Sequence, residues 1–176
     1  MTGPAPDLSG LDLVPVPTYR DVPATAVSDL AGADLSGRAL TVAVGGVDRW
    51  TLLLFLSSGC DGCGELWRAL SDSQGAWPAI DGVVPVVVTR GPDTEDPAEL
   101  DRLATGAVPL VVSDAAYRAY RVHGAPFFVL VDGPRWRVAT EGVAWGPPQV
   151  AEDVRRALSG QGGPAVPRLD PPGDGR

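Results

Sequence analysis

"TLLLFLSSGCDGCGELWRAL", residues 51–70, decides how this chain is read. An unbroken apolar run at 51–56 meets a Ser-Ser-Gly break, then Cys60 and Cys63, the only two cysteines among 176 residues. A short run without polar alternation is how a strand buried on both faces looks. Beyond it Cys63, Leu66, Trp67 and Leu70 fall at the i, i+3, i+4, i+7 spacing of one helical face. Cys60 therefore stands where a buried strand stops and a helix starts. At such a junction unpaired N–H groups and the helix dipole stabilise a thiolate, lowering a thiol pKa from about 8.5. Cys63, one turn on and facing inward, is placed to attack a mixed disulfide formed at Cys60. The residues alone leave three readings open: a redox pair, half of a metal site, or two packed thiols.

Working outward, "VVPVVV" (83–88), "PLVVS" (109–113) and "FFVLVD" (127–132) are further buried-strand runs, and "RWRVAT" (135–140) reads as the second arm of a hairpin. Helices fit the gaps. "DPAELDRLATG" carries Asp96 as N-cap, Pro97 at the first helical position, Glu99 to complete a capping box and Gly106 to stop. "DAAYRAYRVHG" is expected to be helical to near Gly124. "PPQVAEDVRRALSG" turns Val150, Val154, Ala157 and Leu158 to one side. The order β-α-β-α-β-α-β-β-α predicts an α/β fold, a mixed central sheet with helices on both faces. Ahead of it "ATAVSDLAGADLSGRALTVAVGG" predicts two short strands, an N-terminal β extension. The expected organisation is an extended arm over 1–24, one domain over 25–160 and a disordered Gly/Pro-rich tail over 161–176.

Composition narrows the function. The chain has no lysine and a formal charge of −8, which argues against nucleic acid or an anionic membrane surface as partner. No run approaches the roughly 18 apolar residues of a membrane helix, and the N-terminus lacks the pattern of a secretory signal. The cytoplasm is the expected location, where a lone structural disulfide is not expected. Zinc wants four ligands; two cysteines and the single His123 cannot supply them unless two chains share a site.

The strand, the C-x-x-C at a helix start and the later "GAPFFVLVD" together resemble the thioredoxin fold. "DLSGRALTVAVGG", "LLLFLSSGCDGC" and "YRVHGAPFFVLVD", with the closing hairpin and helix, resemble most the TlpA, ResA and MauD type of thiol–disulfide oxidoreductase, over roughly residues 25–160. The resemblance implies a redox-active disulfide with Cys60 attacking and Cys63 resolving. It further implies a cis-proline at Pro126, Ala125 pairing with substrate backbone, a protein thiol or disulfide client, and a separate electron donor or acceptor. It implies no cofactor and no metal, and a monomer is expected. Three features depart from the pattern. Gly59 replaces a common tryptophan and leaves the site less shielded. Asp61-Gly62 replaces Gly-Pro and sets a negative charge beside Cys60, against thiolate formation. Leu54 stands where thioredoxin has a buried acid.

Other readings accompany these. A non-catalytic binding or maturation module would use the same groove around Pro126. A peroxiredoxin-like peroxidase would use Ser57 at its hydroxyl position, although Leu53 occupies the place of that motif's proline. His123 is expected as a cation at a helix end, or as a redox or copper group near Pro126. Trp50 and Trp67 are expected in packing, Ser57 and Ser58 as caps of the helix after Cys60, and "GPDTEDPAELD" as a solvated helix start.

Overall fold

The computed structural model describes residues 19–20, 27–71 and 77–160. In chain order the elements are β1 (Tyr19–Arg20), β2 (Leu30–Ala33), β3 (Ala39–Val42), β4 (Trp50–Phe55), a single 3-10 turn (Asp61–Cys63), α1 (Gly64–Ser71), β5 (Val83–Thr89), α2 (Pro97–Leu103), β6 (Leu110–Val112), α3 (Asp114–Ala119), β7 (Phe127–Asp132), β8 (Arg137–Val143) and α4 (Pro147–Gly160). The strands form one mixed sheet in the order β1-β8-β7-β4-β5-β6-β2-β3. β4, β5 and β6 run parallel, while β7 lies antiparallel to β4 and β8 antiparallel to β7. The expected tail and most of the expected arm lie outside the described residues; Tyr19–Arg20 of that arm pair with β8.

The apolar runs behave as strands because both faces of the sheet are covered. Leu52, Leu54 and Leu56 of the β4 segment pack with Leu66, Trp67 and Leu70 of α1, Leu100 of α2, and Val150 and Val154 of α4. Leu53 and Phe55 point the other way, to Tyr117 of α3, Tyr120, Leu30 and Val44. Three helices thus cover one face, while α3 and the N-terminal extension cover the other. Register keeps the two sets apart: Leu54 lies opposite Val87 and Phe128, Leu53 opposite Val86 and Val129. Pro85 is tolerated because β6 pairs with β5 only from Val87 onward, so its missing N–H leaves no ladder bond unmade on that side.

Several local expectations need correction. Asp96 caps α2, accepting from the Ala98 and Glu99 N–H groups. The capping box is not made: Glu99 pairs with Arg102, and the Asp96 N–H donates to Ser58 Oγ. α2 stops at Leu103, short of Gly106. α3 stops at Ala119 rather than near Gly124, because Arg121 takes a left-handed φ of 55° and turns the chain out of the helix. His123 is therefore past the helix end and exposed.

Candidate active site

Cys60 is the N-cap of the 3-10 turn, with extended backbone (φ −101°, ψ 112°) and no side-chain cap. The turn closes through the Cys63 N–H to the Cys60 carbonyl at 3.0 Å, and α1 begins one residue later, not directly after Cys60. A disulfide joins Cys60 and Cys63, whose Cα atoms are 5.3 Å apart. The two sulfurs differ in access: Cys60 is half-buried, and Cys63 is 0% exposed.

Residues 56–58, which lead to Cys60, are fastened from three sides. The Trp67 indole N–H of α1 donates to the Ser57 carbonyl at 3.1 Å. The Tyr117 hydroxyl of α3 donates to the Leu56 carbonyl at 3.1 Å. From beneath, one carboxylate oxygen of Glu95, Oε2, accepts from Ser57 Oγ (3.1 Å), the Ser58 N–H (2.7 Å) and Ser58 Oγ (2.7 Å). Glu95 is 4% exposed, and its Oε1 is buried with no partner among the described residues. Ser57 and Ser58 thus do not cap the helix after Cys60; they hold Glu95. In the sequence this glutamate is one of several acids in an expected solvated stretch, and nothing local singles it out.

Across from Cys60 lies the loop before β7. The Ala125–Pro126 peptide is cis, and both residues are half-buried. A methyl group built on Gly62 would lie 3.5 Å from Pro126 Cδ and 3.9 Å from Cys60 Sγ, so the sulfur and the proline ring flank one spot. The Pro126 carbonyl accepts from the Ala144 N–H at 3.2 Å. The next residue, Trp145, is 67% exposed. Its backbone follows directly on the residue bonded to Pro126, and the sequence expectations above do not include it. A solitary Trp followed by Gly-Pro-Pro, just ahead of the last helix, was the available signal. Gly59, Asp61 and Gly62 are all exposed, so the charge of Asp61 is presented to solvent. Trp67 is buried in the core, and Trp50 packs at its margin. Among the described residues no three His, Cys, Asp or Glu side chains are grouped to hold a metal, and no helix is long and apolar enough to cross a membrane.

A disulfide at the C-terminal end of a central parallel strand, with a cis-proline loop facing it and helices on both sides of the sheet, is now in view. The chain has the thioredoxin fold. Solved structures with that fold include a thiol:disulfide interchange protein of Chlorobium tepidum TLS, 17% identical, with a TM-score of 0.57 over 79% of this chain and 99% of the other. A secreted Mycobacterium tuberculosis disulfide oxidoreductase homologous to E. coli DsbE is 17% identical, with a TM-score of 0.54 over 74% and 95%. StoA from Bacillus subtilis is 16% identical, with a TM-score of 0.55 over 77% and 99%. No protein-family model matches the chain, and no curated protein does. On this thioredoxin fold the pair sits at the strand-to-helix junction, with the outer cysteine accessible and the inner one sealed under α1.

Proposed function

We propose that the chain is a thiol–disulfide oxidoreductase acting on a protein client. The observation that carries this reading is the unequal burial of the two sulfurs beside Pro126. In the reduced protein the Cys60 thiolate attacks one sulfur of a client disulfide and expels the other as a thiolate, leaving a mixed disulfide. Cys63 then loses its proton and attacks Cys60 Sγ, re-forming the Cys60–Cys63 disulfide and releasing the second client thiol. Two electrons pass to the client, and a separate thiol or disulfide partner resets the pair. Run backwards, the same steps oxidise a client dithiol. Ala125 and Pro126 offer a backbone edge for the client segment, and Trp145 an aromatic contact at its rim. The solved neighbours described as a thiol:disulfide interchange protein and a disulfide oxidoreductase support this reading at the level of reaction class.

Cys63→Ser tests it. With no resolving thiol, the variant should accumulate a covalent adduct with a disulfide-bearing peptide, seen by mass spectrometry and reversed by a reductant. Cys60→Ser should form none. Equal adducts on both variants, or none on either, would overturn the assigned roles and favour a binding module with idle cysteines.

A further inference from the structure

A cavity of about 350 Å³ opens beside α3, lined by Arg90, Tyr117, Arg118, Arg121, Val122 and His123. Three arginines thus line one hollow in a chain whose formal charge is −8. Arg90 lies over the Tyr117 ring at 4.2 Å and is 3.5 Å from Asp114, the one carboxylate paired with the group. Arg118 and Arg121 are exposed, and neither makes an ion pair among the described residues.

The backbone adds a second indication. The Val122 N–H reaches the Tyr117 carbonyl at 2.9 Å, and the Arg121 N–H reaches that of Arg118 at 3.2 Å. This closure of a helix end ordinarily places glycine at the left-handed residue. Here that residue is Arg121, at φ 55°, a conformation disfavoured for a side chain with a Cβ. The helix dipole accounts for a cation in the last turn, as at Arg118. It accounts neither for an arginine in glycine's place nor for Arg90 arriving from the end of β5.

The hollow lies at the end of the sheet that carries the disulfide. β4 leads to Cys60, the parallel β5 leads to Arg90, and His123 stands three residues before Pro126, a reach of about 10 Å at most. We propose that this hollow binds the carboxylates of an acidic segment of the client, next to the exchanging disulfide. The client is that of the exchange reading above. Guanidinium forks match carboxylates in pairs of parallel hydrogen bonds. The surrounding negative charge repels such a segment at a distance, so affinity comes from local, salt-sensitive contacts.

The probe is a dye-labelled, cysteine-free peptide of alternating Glu and Gly, with a Gln counterpart, titrated into the oxidised full-length protein at low salt and followed by fluorescence anisotropy. The expected result is roughly tenfold tighter binding of the Glu peptide, lost when Arg118→Gln and Arg121→Gln are combined. Arg121→Gly should weaken binding while leaving the thermal midpoint equal or higher, which a purely structural role for this arginine would not produce. Equal binding of the two peptides, or a preference unchanged in the double variant, overturns the proposal. So does saturable binding of inorganic phosphate without binding of the Glu peptide. Because the peptides carry no sulfur, failure here leaves the exchange reading standing, while failure of Cys63→Ser trapping leaves the binding of carboxylates by the hollow standing and removes only the client assigned to it.

Discussion

Glu95 brings a carboxylate under the loop that delivers Cys60 and spends one oxygen on three hydrogen bonds. Hydrogen bonds to a carboxylate contribute about 1.5–3 kcal/mol each, and removing that acceptor leaves the part-buried Ser58 N–H unmatched. Glu95→Ala is therefore expected to lower unfolding stability by about 2 kcal/mol or more, measured by urea denaturation. A loss under about 0.5 kcal/mol, the usual scale of a surface substitution, would show that the loop holds without it. Sequence and structure part company at this residue for a physical reason. The placement of Cys60 and Cys63 at the end of a buried strand was legible in local pattern, a run that ends and a two-residue spacing, while Ala125 and Pro126 entered only through the family resemblance. Glu95 lies 35 residues beyond Cys60 in an acidic stretch, and only the packing of α2 against the β4 loop separates it from its solvated neighbours. Trp145 escaped in the opposite way, since an exposed aromatic carries no periodic signal at all.

At the scale of elements, the buried strands were legible because two-sided burial leaves no polar alternation, and β7 spans the expected residues, Phe127–Asp132. Helix ends were less so. Ends depend on which groups satisfy the terminal backbone, and at α2 and α3 those groups come partly from outside the helix. The N-terminal extension was visible as two short strands, but its attachment was not. β2 touches β6 through the single register pair Ala33–Val112. The approach is close: a Cβ on Gly32 would lie 2.3 Å from the Val112 carbonyl oxygen. Gly32→Ala should force the extension away from β6 at a cost of roughly 1–3 kcal/mol, the range of overpacked sites. Hydrogen exchange would then show faster opening at Leu30–Ala33, with β4 and β7 unaffected. Protection unchanged across β2 would mean that the sheet edge yields freely.

For the molecule as a whole, stability should fall in alkali. Tyr120 is buried and donates to the Ser28 carbonyl at 2.6 Å; burial pushes its pKa from 10.0 up to about 12. Burial also raises that of Tyr117. Since the folded values exceed the unfolded one, the unfolded chain releases these protons first. The contribution is intact below pH 10 and is lost as the pH climbs toward 12. Urea midpoints should hold from pH 8 to about 9.5 and then decline, with a shallower decline in Tyr120→Phe; a flat profile through pH 11 would contradict the burial of these hydroxyls. A quieter consequence follows from Trp67, whose indole is hydrogen-bonded to the Ser57 carbonyl and packed in the same apolar cluster as Cys63. An indole beside a disulfide loses its excited-state electron to the sulfurs, while one beside two thiols loses it far less readily. If the pair exchanges as proposed, Trp67 is the lamp beside that switch, and adding a reductant should brighten its share of the protein's emission.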